Sequence, residues 1–294
     1  MTKESFKKLS GIYKGSPFHF VGDGFRVSNY FPNGNQFGKR ISPFFLLDYN
    51  PPHRFEPSDK PRGVGVHPHR GFETVTIAFE GSVAHHDSYG NSGIIGPGDV
   101  QWMTAASGVL HKEYHEKKFA AEGGTFHMLQ LWVNLPSKNK MSKPKYQPLT
   151  RDMMGKFVLP DKKGMVTIVA GEYNGIKGPA STFSPINLFT VDLKPSGKFD
   201  ASFPPAYNTG ILFTKGTVKI NGNYIAKAAD FALFENEGEL VSLEAMEDAA
   251  FVVFNGEPID EPVAHYGPFV MNSMDEIRQA FEDYQQGKFG VLEE

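Results

Sequence analysis

The chain contains no cysteine, which excludes disulfides, thiolate metal sites, sulfur-held iron–sulfur clusters and any cysteine nucleophile. Any metal must therefore sit on nitrogen and oxygen. An excess of positive charge is missing too: 30 basic against 33 acidic residues leave a formal charge of -3. That balance lacks the cationic field behind direct nucleic-acid binding, so no direct nucleic-acid partner is expected. No stretch reaches the roughly 20 consecutive apolar residues that span a bilayer, so no membrane role is expected. The opening MTKESFKKLSGIYKG has lysines but no apolar run behind them, unlike a secretory signal. A cytoplasmic location is the expectation.

What is present points to β-structure. The 294 residues include 31 glycines and 21 prolines, enough length for one large or two ordinary domains. The glycines and prolines punctuate short runs rich in Val, Ile, Phe, Thr and Tyr, such as 74–79, 129–133, 211–213, 217–220 and 251–254. That is the pattern of strands and turns. Near the middle, PSKNKMSKPKYQP has the composition of an exposed linker. It divides the chain into an N-terminal domain at 1–136, a linker at 137–148 and a C-terminal domain at 149–294.

The two halves share a faint likeness. Glu80-Gly81 leads to Gly98-Asp99 in one, and Lys215-Gly216 leads to Ala229-Asp230 in the other. Duplication would give two similar barrels, closed so that few sheet edges remain free. One short helix is expected at the C-terminus. There Ser273 and Glu276 make a capping-box pattern ahead of Ile277, Ala280, Phe281 and Tyr284, with Gly287 beyond.

The histidines carry the chemistry. His67 and His69 stand at i and i+2, which on a strand aims both imidazoles to one side. Continuing the same parity gives Gly71, Glu73, Val75, Ile77 and Phe79, as the inner face of a barrel would. His111 and Glu113, 42 residues after His69, repeat the spacing, and turn-rich DSYGNSG and GPGD between them let the chain return. Three imidazoles and a carboxylate suit a borderline divalent metal: iron, manganese, nickel, cobalt, copper or zinc. Spacing alone leaves Glu73 and Glu113 as rival carboxylates. His85, His86 and His115 are expected at the surface, and His127 as a second-layer or pocket residue. Phe72 and Trp102 are expected in the core, and Arg70 in a structural hydrogen bond.

Taken together, HPHRGFETVT, GDVQWMTAASGVLHKE, QLWVNLP and GPFVMNSMDEIRQAFEDYQQGKFG strongly resemble the pirin family of bicupins. The resemblance runs from about Arg26 to Gly290. It implies an all-β fold of two tandem cupin barrels (jelly-roll, double-stranded β-helix) with a short C-terminal helix. It further implies one non-haem metal, usually iron as Fe(II), in the N-terminal barrel, held by His67, His69, His111 and Glu113. Aligning Gly216 on Gly81 puts Ser202 and Pro204 where the first histidine pair stands, so the second barrel is expected to lack metal.

Some pirin-like proteins are quercetinases, which open a flavonol ring with dioxygen and release carbon monoxide. On that model the expected substrates are a flat flavonol-like aromatic and O2, with Glu113 as the base. Others act as transcriptional co-regulators or bind metabolic enzymes, so the competing expectation is a non-catalytic, metal-bound or redox-sensing interaction protein. The lysines at 138, 140, 143 and 145 would be the first surface to test for a protein partner. A monomer is the default for two barrels that cover each other.

Overall fold

A computed structural model describes residues 5–293. It resolves into two compact units that exchange segments along the chain. One comprises Pro17–Asn29, Phe45–Arg151 and the residues from Ile259 onward; the other comprises the residues up to Ser16, Tyr30–Phe44 and Asp152–Pro258. Each carries one seven-stranded and one four-stranded antiparallel sheet.

In the first unit the seven strands run in the order Lys145–Leu149, Val100–Thr104, Phe72–Glu80, Gly124–Asn134, Phe44–Phe55, Phe25–Phe31 and His19–Val21. The four-stranded sheet is Gly63–His69, Val109–His115, Val83–Asp87 and Ser92–Ile95. Strand Phe72–Glu80 shows why sequence becomes sheet here. Its FETVTIAFE is β-branched or aromatic at most positions, and all but the last two residues are buried, as a central strand covered on both faces requires.

The second unit repeats the plan. Its seven strands are Leu9–Tyr13, Phe231–Phe234, Asn208–Lys215, Ala249–Gly256, Ile186–Leu193, Gly164–Ala170 and Gly155–Val158. Its four are Lys198–Ser202, Leu240–Ala245, Thr217–Ile220 and Tyr224–Lys227. The repeat extends to single hydrogen bonds. Gly98 N–H donates to Ala78 O and Ala78 N–H to Asp99 O, while Ala229 N–H donates to Phe213 O and Phe213 N–H to Asp230 O. Both aspartates cap their own turns, Asp99 accepting from Gly96 N–H at 2.9 Å and Asp230 from Lys227 N–H at 2.7 Å. The faint likeness of the halves is thus a shared turn. The units differ inside: the second holds one large apolar cluster that includes Phe189, Phe199, Phe203, Phe213 and Phe251.

The boundaries of these units differ from a single division at 137–148. Leu9–Tyr13 pairs with Phe231–Phe234, so the start of the chain belongs with the second barrel. The presumed linker is structured: Ser137–Lys140 is a short helix and Lys145–Leu149 an edge strand paired with Val100–Thr104. Lys140, expected at the surface, is 1% exposed and donates to Asn134 Oδ1, Gly71 O and Val270 O. Composition suggested solvent, but three buried acceptors hold that ammonium.

The C-terminal helix Met274–Gln285 forms with its capping box complete. Ile277 and Ala280 bury against Leu110, Phe269, Met271 and Phe289. The helix therefore packs in the unit that carries the histidines, not with the second barrel as a division at 137–148 implies. Its apolar stripe shows that it must dock, but not on what.

Candidate metal centre

The antiparallel pairing of Gly63–His69 with Val109–His115 sets His111 opposite His67 and Val109 opposite His69. This register closes the 42-residue gap. The three rings gather at centroid separations of 4.8 Å (His67–His69), 4.2 Å (His67–His111) and 4.7 Å (His69–His111). One ring nitrogen from each lies within 4.8 Å of the others.

Second-layer contacts orient two of the rings. His67 Nδ1 lies 2.8 Å from Gly65 O and His69 Nδ1 3.4 Å from Pro268 O, which frees the other nitrogen of each ring to act as a ligand. Burial is the main force on their titration. It holds His67 below the ordinary histidine value, and His69 and His111 well below it, with neighbouring imidazoles adding to the effect on the last two. That direction favours the neutral, metal-ligating form of all three rings. His111 adds a direct test of fit. Both its nitrogens are buried without a hydrogen-bond partner, an arrangement that costs free energy unless something else meets them. A divalent cation fits that set.

Glu113 follows a bulge after His111 and sits across from His85. It is 4% exposed; Oε2 accepts from Gln130 Nε2 at 2.8 Å and Oε1 from Thr76 Oγ1 at 3.4 Å. Burial pushes its carboxyl up to about 7. Glu113, His67 and His69 line a cavity of about 260 Å³ whose other walls include Phe25, Val27, Met128, Gln130 and Trp132.

Two family models match the chain, Pirin over residues 24–133 and the Pirin C-terminal cupin domain over residues 188–290. A Pseudomonas aeruginosa protein provisionally named a quercetin 2,3-dioxygenase is 48% identical over 96% of this chain and 98% of its own. The chain belongs to the pirin family. Human Pirin is 38% identical to it over 86% of this chain and 84% of its own. A crystal structure of quercetin 2,3-dioxygenase from Acinetobacter baumannii superposes with a TM-score of 0.94 at 45% identity, covering 98% of this chain and 100% of that one. The tandem cupin fold follows from these matches.

Within this pirin fold the inner-face parity drawn from His67 does not continue. Gly71 (φ +89) ends the strand, where a Cβ would lie 2.0 Å from Val270 O, and the chain restarts in the other sheet with its alternation reversed. Even positions now face the site: the Phe72 ring lies 5.0 Å from His69, and Thr76 meets Glu113. Neither Glu73 nor Glu113 belongs to the three-histidine cluster; Glu113 shares the cavity wall with His67 and His69, whereas Glu73 accepts from Thr104 Oγ1 at 2.7 Å, with burial raising it to about 7.

Other histidines also depart from expectation. His85 and His115 are 2% and 0% exposed because they share the parity of Glu113 in the register. His85 Nε2 meets the Tyr146 hydroxyl, and His115 Nε2 lies 2.8 Å from Gly24 O. His86 is half-buried and stacks on Tyr114. His127 pairs with the Tyr49 hydroxyl at 2.9 Å and is absent from the cavity wall.

Phe72 and Trp102 are core residues as expected, both 0% exposed. Arg70 is structural, donating from Nε to Ser107 O and from Nη1 to Asp283 Oδ2. Gln130 and Trp132 of QLWVNLP also line the cavity, and their i, i+2 spacing on one strand, shared with Met128, is the signal the sequence offers for them. Asp48 and Asn50 on Phe44–Phe55 also line the cavity, with the same spacing and nothing else to mark them.

Proposed function

We propose that this pirin-family protein is an iron(II)-dependent dioxygenase that opens quercetin-type flavonols. One O2 would enter, both its atoms would remain in the ring-opened product, and one carbon monoxide would leave. The observation that carries this reading is the convergence of three imidazoles, two of which line a cavity shared with a buried carboxylate. The close likeness to proteins bearing the dioxygenase name supports it.

In this reading His67, His69 and His111 hold the ion and Glu113 is its fourth ligand. When bound, the metal acidifies a hydroxyl that it holds and gives dioxygen a redox partner. The chain's own groups do the rest. Glu113 accepts the proton of the flavonol 3-hydroxyl, and Gln130 holds that carboxylate in place through Oε2. Phe25, Val27, Met128 and Trp132 give the flat ring system an apolar, water-poor slot. Trp132 is itself fixed by stacking on Phe72 at 4.1 Å.

The test loads the metal-free protein anaerobically with iron(II), confirms occupancy by elemental analysis, then follows quercetin absorbance and carbon monoxide. The expected result is one carbon monoxide per flavonol consumed. No turnover above the metal-free control, with the site filled, would overturn the assignment.

A further inference from the structure

The cavity has a polar corner that the chemistry above leaves unused. Asn50 is 2% exposed, yet neither its Nδ2 nor its Oδ1 has a hydrogen-bond partner, and it lines the cavity. An amide buried in this state is costly unless a ligand completes it. Two residues earlier on the same face of Phe44–Phe55 stands Asp48, also in the wall, its Oδ1 accepting from Asn29 Nδ2 at 2.7 Å. Their positions are about 7 Å apart along the strand, close enough for both side chains to reach adjacent oxygens on one ring.

This strand belongs to the seven-stranded sheet, whereas the histidines and Glu113 belong to the four-stranded one, so the polar pair lies on a different wall from the reacting end. Gln130 is already engaged by Glu113. Trp132 Nε1 is the other unpaired polar atom of this wall outside the histidines among the described residues, and it can only donate. Acceptors for a ligand's O–H groups are supplied by Asn50 Oδ1 and the Asp48 carboxylate.

We propose that Asn50 and Asp48 form a recognition subsite for two neighbouring hydroxyls on the pendant ring of the flavonol. This rests on the dioxygenase reading for the ligand's class. Two O–H donors satisfy the two acceptors, and the Asn50 amide donates back to a hydroxyl oxygen. An anionic substituent is refused by the Asp48 carboxylate, and an unsubstituted ring leaves Asn50 unmet.

The test compares two flavonols that share the 3-hydroxyl and 4-oxo groups, one with vicinal hydroxyls on the pendant ring and one without. Each is offered to the iron-loaded wild type and to Asn50→Leu, with binding measured anaerobically by calorimetry and kcat and KM measured under oxygen. The wild type is expected to bind the dihydroxy compound roughly ten- to a hundredfold more tightly. Asn50→Leu removes that preference, raising KM for the dihydroxy compound alone and leaving kcat in place. Asp48→Asn, which keeps the shape but not the charge, gives a smaller loss confined to the same compound. Equal weakening of both compounds, or a wild type that binds them alike, would overturn the subsite. Discrimination in binding without turnover of either compound would uphold it and sink the dioxygenase reading instead.

Discussion

Arg70 and Asp283 form a buried ion pair, Nη1 to Oδ2 at 2.8 Å, that ties the residue after the second histidine to the C-terminal helix. Arg70 also lies over the Phe289 ring at 4.6 Å. The far end of the chain therefore braces the strand that carries His67 and His69.

Removing one partner strands the other charge. Asp283→Ala is expected to cost about 3–5 kcal/mol in urea unfolding and to weaken metal binding as the His69 end loosens. The pH dependence has a definite sign. Lys288 foremost, then Arg70 and Gln279, holds the Asp283 carboxyl at about 2, below its unfolded value. Its contribution, on the order of 2 kcal/mol, is complete above about pH 4 and is lost as pH falls toward 2. Unfolding curves of wild type and Asp283→Asn should converge over that window; a constant gap would show that the carboxylate is not the titrating partner.

His111 should be a liability without metal. His111→Leu deletes two unpaired buried nitrogens and is expected to raise the stability of the metal-free protein by about 1 kcal/mol or more, while abolishing stoichiometric metal binding. Thermal denaturation paired with elemental analysis reads both. A variant less stable than the metal-free wild type would mean that His111 is satisfied without an ion.

Gly71 is required by the turn between the two sheets. Gly71→Ala places a Cβ 2.0 Å from the Val270 carbonyl at a φ of +89. A loss of about 3 kcal/mol or more is expected, together with weaker metal binding. A near-neutral result in chemical denaturation would show that the turn has another accessible conformation.

Glu113→Gln separates binding from proton transfer. With His67, His69 and His111 intact, metal is expected to remain, while kcat falls by about 10²–10⁴-fold. Normal turnover with quercetin would remove Glu113 from the role of base.

Much of this was legible in the sequence, and the misses have physical causes. The spacing of His67/His69 and the later His111 pointed to the three imidazoles that gather in the fold, because alternation along a strand is a local property. Glu73 could not be separated from Glu113 by spacing, since Gly71 carries the chain into the other sheet and reverses the face. Lys140 read as solvent-exposed because its three acceptors come from residues up to 130 positions away. Asp48 and Asn50 stayed invisible for the same reason: their importance comes from the cavity that the two sheets enclose. The exchange of Leu9–Tyr13 into the second barrel is likewise a pairing with strand Phe231–Phe234, which no local pattern announces.

The central claim is that one cation is held by this cluster, and anomalous diffraction from iron-loaded crystals tests it most directly. The account predicts a single strong peak enclosed by one ring nitrogen each of His67, His69 and His111, with the Glu113 carboxylate beside it, and no such peak in His69→Ala. A peak elsewhere, or none in protein that analysis shows to contain iron, would contradict it.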